Sequence, residues 1–348
     1  MPEAGRRITV VVPGLCGPSV DAVPDASLSG HPRSLERLLS RALVGKPVPA
    51  GFDATVCSLF NLAAGEGHAL PVAALTCLAD GGRTDSAYIL RADPVHLRAD
   101  QACLRLFEST TFSIDPEEAH TLVAAFNDFY PERGWRLDAL RPQRWYLSMA
   151  TAPEISTVSP ECIAGQDINT SLPGGAQGRE WRALLNEVQM LFHAHPVNAA
   201  REQRGEPAIN SIWPWGGGCL PGELKPSIAR VFTDHPLPMG LAQLAGIPWR
   251  QVPPDGKSLL AELEAGVNLV IIDVLDRPSR YGDADAWADG IRVLEQDWFG
   301  PLQLMLEQGR IASLDIYPVN GNRFSITRRR LKHFWKRIRA FTQCCNRA

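Results

Sequence analysis

The stretch Asn186-Glu-Val-Gln-Met-Leu-Phe-His-Ala-His-Pro-Val-Asn198, continued by Arg201, Gly205 and Ile209-Asn-Ser-Ile-Trp-Pro-Trp-Gly-Gly-Gly218, is the most informative part of this 348-residue chain. Apolar side chains from Gly178 to His193 recur at helical intervals, and the pair His195-Pro196 closes that helix. A second, short helix then reaches Arg204. Gly216-Gly-Gly218 and Pro221-Gly222 read as a loop of adaptable backbone, and glycine at such places lets the chain approach something closely. That something is either a ligand or a neighbouring helix, and the pattern leaves both open.

Outward from this segment, apolar strands alternate with helices. Ile8-Thr-Val-Val-Val12 runs into Pro13-Gly-Leu-Cys-Gly-Pro18, Val267-Asn-Leu-Val-Ile-Ile-Asp273 is a continuous apolar run, and Ile311 to Tyr317 is another. Such runs are buried on both faces in parallel sheets. Helical spacing covers Ser34 to Val44, with Ser34 placed as its N-cap, and also Ala69–Ala79, Pro236–Leu244, Lys257–Leu263 and Ala284–Glu307. Strands alternating with helices in this way predict an α/β fold whose mostly parallel sheet is flanked by helices. Between them lie shorter strands, Ala87–Arg91, Leu104–Glu108, Trp135–Leu137 and Trp145–Met149, around one helix, Pro116–Phe129. The expected division is therefore an α/β core at 1–86 and 176–326, an inserted α+β subdomain at 87–175, and a basic amphipathic helix at 327–348.

Hydrophobic residues make up 45% and charged residues 21%, which suits a folded core and excludes a disordered chain. No apolar run approaches the ~20 residues a membrane-spanning helix needs, and Met1-Pro-Glu-Ala-Gly-Arg-Arg7 precedes only a short apolar stretch, so the expectation is a cytoplasmic protein. Eight cysteines are scattered without a C-x-x-C pair; the first six read as small buried hydrophobes, while Cys344-Cys345 lie near the end at a place open to exposure, and their adjacency alone implies no disulfide. From Arg328 onward there are eight Lys/Arg and no acids, leaving 27 basic against 38 acidic residues before it. Leu331, Phe334, Trp335, Ile338 and Phe341 recur at helical spacing there, so the segment reads as a helix docked on its own acidic body. Charge alone does not make a nucleic-acid partner, and no recognition motif accompanies it.

Several catalytic motifs are absent. Gly256-Lys-Ser258 lacks the earlier glycine of a phosphate loop, since Gln251 stands there, and neither G-x-S-x-G nor H-E-x-x-H occurs. His193 and His195 form an H-x-H pair without nearby carboxylates. Asp273 and Asp276 lie at or just past the carboxyl end of an apolar strand, where open α/β sheets bind ligands, or else they cap the turn that follows.

The opening segment resembles the archaeal-type cofactor-independent phosphoglycerate mutases of the alkaline phosphatase superfamily. The matching residues are Asn186-Glu-Val188, His195-Pro-Val-Asn198 with Arg201, Gly205-Glu-Pro-Ala-Ile-Asn210, and Trp215-Gly-Gly-Gly218. Weaker similarity runs from Ile89-Leu-Arg91-Ala-Asp-Pro-Val-His-Leu97 to Leu306, and these forms also look like a proteobacterial branch of phosphoglycerate mutase-like proteins. The resemblance implies an alkaline-phosphatase-like fold and an anion pocket built from Arg91, His195, Asn198, Arg201 and Asn210, with Gly216, Gly217 and Gly218 alongside. Retained scaffold packing is the other reading of the same residues.

In active relatives a serine nucleophile and two divalent metals, manganese or magnesium, transfer the phosphoryl group. Here the motifs for those ligands are altered. The first strand ends in Val12-Pro13-Gly14 rather than Asp-Gly, and the late aspartate–histidine motif reads Asp276-Arg-Pro-Ser-Arg280-Tyr-Gly-Asp283. The last motif reads Leu314-Asp-Ile-Tyr-Pro318 without its histidine, and Trp215 replaces the loop arginine. Arginine does not deprotonate and proline has no donor atom, so only Asp273, Asp276 and Asp283 remain as weak metal candidates. The expectation is a phosphoglycerate mutase-like binding or regulatory protein, with no cofactor and a small phosphorylated ligand. The alternatives are an active mutase or phosphomonoesterase with rearranged ligands, and a nucleic-acid-associated protein.

Overall fold

Ile8, Val10 and Val12 alternate along the first strand and all have no exposed surface, so this strand needs a layer of helices on the face they share. The computed structural model describes residues 5–17, 32–65, 69–85, 88–100, 103–163, 167–333 and 335–345. Its described residues form two compact units, Met1–Ala63 with Glu223–Ala348, and Ala64–Gly222. Strands are numbered β1 to β12 in chain order.

Unit one contains β1 (Arg7–Val11), β2 (Leu43–Val44), β8 (Ile228–Phe232), β9 (Trp249–Arg250), β10 (Val267–Ile271), β11 (Ser313–Tyr317) and β12 (Phe324–Thr327). They form one sheet in the order β2-β12-β11-β1-β10-β8-β9. β11, β1, β10, β8 and β9 run parallel, while β12 and β2 join antiparallel at one edge. One core unites Ile8, Val10, Val270, Leu314 and Ile316 of the sheet with Leu35, Leu38 and Leu39 of helix Arg33–Arg41. Trp287, Ile291, Phe299 and Leu302 complete it from the helical run Ala284–Gln308, which contains one wide turn at Leu294–Phe299. This is the expected α/β architecture with a mostly parallel sheet.

Two local expectations change. Helix Arg33–Arg41 starts one residue before Ser34, and its Ser34 and Leu35 amides donate to the Glu295 carboxylate at 2.6 and 3.0 Å, so a distant side chain caps it instead. The basic C-terminal segment is not one helix. It forms Arg328–Leu331 and Phe341–Cys345, and between them Trp335 and Ile338 are 66% and 47% exposed. The Arg339 and Phe341 amides donate to Ser40 Oγ and Glu36 Oε1, which takes backbone donors that a continuous helix would spend on itself. The segment docks on helix Arg33–Arg41, as its apolar residues suggest; Phe334 lies outside the described residues.

Unit two contains β3 (Tyr88–Asp100), β4 (Cys103–Glu108), β5 (Arg136–Arg141), β6 (Arg144–Met149) and β7 (Ser211–Gly218). They form an antiparallel sheet ordered β4-β3-β6-β5, with β7 on β3. The expected subdomain limits of 87–175 are therefore too narrow. β7 pairs with β3 from Ile89↔Gly218 to Val95↔Ser211, which draws the whole segment from Gly178 to Gly218 into this unit. Helices Pro116–Phe129 and Gly178–His193 supply Leu122, Phe126, Trp181, Leu185, Val188 and Phe192 to its core. The start of the first strand was expected at Ala87, which lies outside the described residues. Among the described residues no helix is long and apolar enough to cross a membrane.

Asn268 shows how tightly the first sheet is pinned. Fully buried, its side chain accepts from the Glu264 amide at 3.0 Å and donates to Glu264 O at 2.9 Å and Arg7 O at 3.3 Å. Removing it leaves buried backbone groups unpaired. Asn268→Ala is expected to lower unfolding stability by about 1–3 kcal/mol in urea titrations, with an unchanged m-value.

Candidate functional site

The glycines of the opening segment are strand residues, not a loop. Gly217 sits where a Cβ would meet Tyr88 Oη at 2.4 Å, and a Cβ on Gly218 would meet Pro71 Cβ at 2.6 Å. Gly216 has φ of +62°, and its missing side chain leaves room for Val72 at 3.2 Å. Close approach is indeed what these glycines provide, and what approaches is β3 together with the start of helix Val72–Ala79.

Arg91 and Asp93 project from one face of β3 and are 6% and 4% exposed. Asp93 Oδ1 accepts from Arg91 Nε at 2.9 Å and Nη2 at 2.7 Å, while its Oδ2 accepts from Trp215 Nε1 at 2.7 Å. The strand register places Arg91 opposite both Tyr146 and Trp215, and the guanidinium lies over their rings at 5.2 and 5.1 Å. Burial opposes the charge of Arg91, but Asp93 and Tyr146 outweigh it and hold the guanidinium above its usual value. Burial likewise pushes the Asp93 carboxyl up, against the lowering pull of Arg91 and Trp215. An arginine so enclosed has no face left for a ligand anion.

The other expected pocket residues are engaged in the same way. Asn198 donates to Phe192 O and Ile209 O, and accepts from the Ile209 amide, each at 2.8 Å. Asn210 pairs with both backbone groups of Leu97, at 2.7 and 2.8 Å, and so continues the ladder of β3 with a side chain. Arg201, 1% exposed, gives Nε to Pro207 O, Nη2 to Ser113 O and Nη1 to Glu118 at 2.5 Å. His195 caps helix Pro196–Gln203, its Nδ1 accepting from the Val197 amide at 3.2 Å, and burial lowers its pKa. Arg91 is spent on Asp93, and each of the other four side chains ties a backbone junction together, so all five residues expected to build an anion pocket have partners within the protein.

A polar cluster that the sequence reading missed adjoins Arg91. Asp80, which ends helix Val72–Ala79, accepts from Arg144 Nη2 at 2.5 Å, Tyr146 Oη at 2.7 Å and Arg141 Nε at 3.3 Å. Burial pushes its carboxyl up, yet the Arg144 and Tyr146 hydrogen bonds prevail and keep it below its usual value. Arg144 and Tyr146 alternate on one face of β6, and that spacing was the available signal. Above them is an open cavity of about 710 Å³ lined by Cys77, Gly82, Arg136, Asp138, Tyr146 and Ser148. Arg136 is already paired with Asp138 at 3.0 Å.

In unit one the candidate residues lie at the carboxyl edge of the parallel strands. Asp273 follows β10, and its surface is exposed although the surrounding chain desolvates it. That desolvation, then the negative charges of Asp276 and Asp234, push its carboxyl above the usual range. Asp276 pairs with Arg280 at 2.9 Å, and Asp283 accepts from the Ala286 amide at 3.0 Å as cap of helix Ala284–Val293. The turn after β1 is filled by packing. Gly14 has φ of +74°, a Cβ there would lie 2.4 Å from Leu275 O, and its carbonyl accepts from Trp287 Nε1 at 2.8 Å. Among the described residues no group of three His, Cys, Asp or Glu side chains is arranged to hold a metal ion.

Two substitutions separate scaffold from binding loop. Arg91→Met strands the buried Asp93 carboxylate and is expected to cost about 3–5 kcal/mol in chemical denaturation. Gly217→Ala forces Tyr88 and Leu90 aside and is expected to lower the melting temperature of the protein by several degrees; an unchanged melting temperature would refute the packing role.

No family model matches this chain. It is 27% identical to the 2,3-bisphosphoglycerate-independent phosphoglycerate mutase of Methanosarcina barkeri over 177 residues, 45% of this chain and 42% of that one. It is 35% identical to the enzyme of that name from Methanosarcina mazei over 68 residues, 20% of this chain and 17% of that one. A probable enzyme of the same name from Geobacter sulfurreducens matches at 28% over 160 residues, 43% and 38% of the two chains. The chain thus spans less than half the length of the curated relatives it matches. The solved structure of the PH0037 protein from Pyrococcus horikoshii has a TM-score of 0.54 at 13% identity, covering 92% of this chain and 86% of that one, which is a likeness of fold. With these matches the chain stands as a divergent relative of the cofactor-independent phosphoglycerate mutases.

Proposed function

We propose that this phosphoglycerate mutase-like protein does not carry out two-metal phosphoryl transfer and acts in the bacterial cytosol as a binding or regulatory protein. The observation that carries the reading is the state of the donors. Two-metal catalysis requires ionised carboxylates and neutral imidazoles gathered around both ions, with a nucleophile between them. At the carboxyl edge of the sheet, Asp276 is spent on Arg280, Asp283 on a helix cap, and the position after β1 on Gly14 against Leu275. The polar side chains Asn198, Arg201 and Asn210 of the matching segment are spent on backbone groups and, for Arg201, also on the Glu118 carboxylate.

A second reading has one observation in its favour. Asp234 and Asp276 lie close enough to Asp273 to raise its pKa, and such mutual repulsion is what a bound cation relieves. That reading describes an active mutase or phosphomonoesterase with rearranged ligands, using manganese or magnesium. A small phosphorylated compound is the first probe for either role.

One assay separates them. Conversion of 3-phosphoglycerate by the purified chain, with manganese supplied in excess, is expected to stay at background. Manganese-dependent turnover that disappears in Asp273→Asn would overturn the proposal and establish the rearranged enzyme.

A further inference from the structure

The C-terminal segment of unit one presents cations and apolar side chains to solvent at the same place. Seven Lys/Arg and no acid lie between Arg328 and Arg339, and none of the seven is buried. Among the described residues none of them forms an ion pair with a carboxylate. Trp335 and Ile338 are exposed in their midst. Trp335 is the one exposed tryptophan of nine, the other eight being buried or half-buried. Its indole lies on the His333 ring, with centroids 4.6 Å and planes 23° apart, so one of its faces is already covered.

Fixed anchors display this surface. Leu331 is buried, and its carbonyl accepts from Arg41 Nη1. Past the exposed residues, the Arg339 amide donates to Ser40 Oγ at 2.9 Å, and Phe341 is buried. Arg41 and Ser40 both belong to helix Arg33–Arg41, so one helix holds the two ends of the stretch from Leu331 to Phe341. Between the anchors the Lys336 amide closes a turn on His333 O at 3.1 Å, with Trp335 inside the turn. A stable protein interface buries about 800 Å² on each side, more than one tryptophan and one isoleucine present. Single-stranded nucleic acid needs open aromatic faces for its bases. A bilayer surface asks for less. Tryptophan settles at the headgroup level, a short aliphatic chain reaches just beneath it, and Lys and Arg meet anionic headgroups while their stems lie along the apolar boundary.

We propose that residues 328–339 form a reversible docking surface for an anionic lipid bilayer, with Trp335 and Ile338 entering the headgroup region and the seven cations facing acidic headgroups. Each cation held near such a surface strengthens binding about fivefold, and the attraction falls off within a Debye length, so salt weakens it. A small apolar anchor or a basic stretch alone binds a membrane marginally, whereas the two together give attachment that stays reversible. The chain before Arg328, with 27 basic against 38 acidic residues, is repelled by the same surface. That asymmetry turns the C-terminal segment toward the lipid and the acidic body away from it. The docking is independent of whether the protein transfers phosphoryl groups.

The test mixes the full-length chain with sedimentable vesicles of phosphatidylcholine, alone or with one-third phosphatidylglycerol, and follows the bound fraction and the tryptophan emission. Binding to the anionic vesicles is expected to exceed that to neutral ones by more than about 25-fold, the effect of two engaged cations, with a blue-shifted emission and release at high salt. Trp335→Ala should remove the blue shift and weaken binding about tenfold. Lys336→Gln combined with Arg337→Gln should weaken it about 25-fold, while Lys336→Arg with Arg337→Lys leaves it unchanged. Equal binding to the two vesicle types, binding to neither, or tighter binding to a single-stranded oligonucleotide than to the anionic vesicles each overturns the proposal. The wild-type comparison of vesicles and oligonucleotide decides on its own should a variant fail to fold.

Discussion

The Asp93 carboxylate is the point on which unit two depends. A buried charge persists only when its lone pairs are met, and here Arg91, Trp215 and the Trp145 amide meet them from three strands. Arg91 can satisfy Asp93 only if the guanidinium is itself enclosed, and the Tyr146 and Trp215 rings enclose it. Those rings in turn require β6 and β7 to lie where they do. β7 reaches β3 closely enough only because Gly216, Gly217 and Gly218 lack side chains. One buried ion pair thus sets the strand register, the aromatic partners and the glycine run.

The same economy governs the carboxyl edge of the sheet in unit one. A parallel sheet delivers its strand ends to one edge, and residues just past them are free to coordinate ligands because they need not pack. In this chain the turn after β1 does pack. Gly14 is pressed against the Leu275 carbonyl and bonded to Trp287, so the turn works as a structural clasp between β1 and the helical layer. Asp276 and Asp283, which a metal would need as open carboxylates, are engaged with Arg280 and a helix terminus. Only Asp273 retains the mark of unrelieved negative charge.

Much of the fold could be read from residues alone, because it rests on periodicity. Ile8–Val12 and Val267–Ile271 announced parallel strands, and Gly178–His193 announced a helix, since burial enforces those patterns. The opening segment was also rightly identified by its spacing, while its residues left an anion pocket and scaffold packing both open. Asn198 and Asn210 offer an amide whether they bind an anion or a strand, and only the three-dimensional neighbours decide between the two. The domain limit failed for a similar reason. β7 reads as a glycine loop until β3 is beside it, and that pairing joins residues more than a hundred positions apart. The tail failed because Glu36 and Ser40, about three hundred residues away, compete for its backbone amides.

The segment from Asn186 to Gly218 and the strand ends differ in what a substitution costs. Changing Arg91, Asn198 or Arg201 leaves buried partners unpaired, a loss of about 1–5 kcal/mol each, which is a large part of a domain's net stability. Changing an exposed residue past a strand end, such as Asp283, costs at most a helix cap, about 1 kcal/mol. Substitution is therefore costly within the scaffold segment and cheap past the strand ends. Likeness in the scaffold segment testifies to the fold, and the testimony about chemistry has to come from the strand ends, where Gly14 is clasped between the Leu275 carbonyl and Trp287.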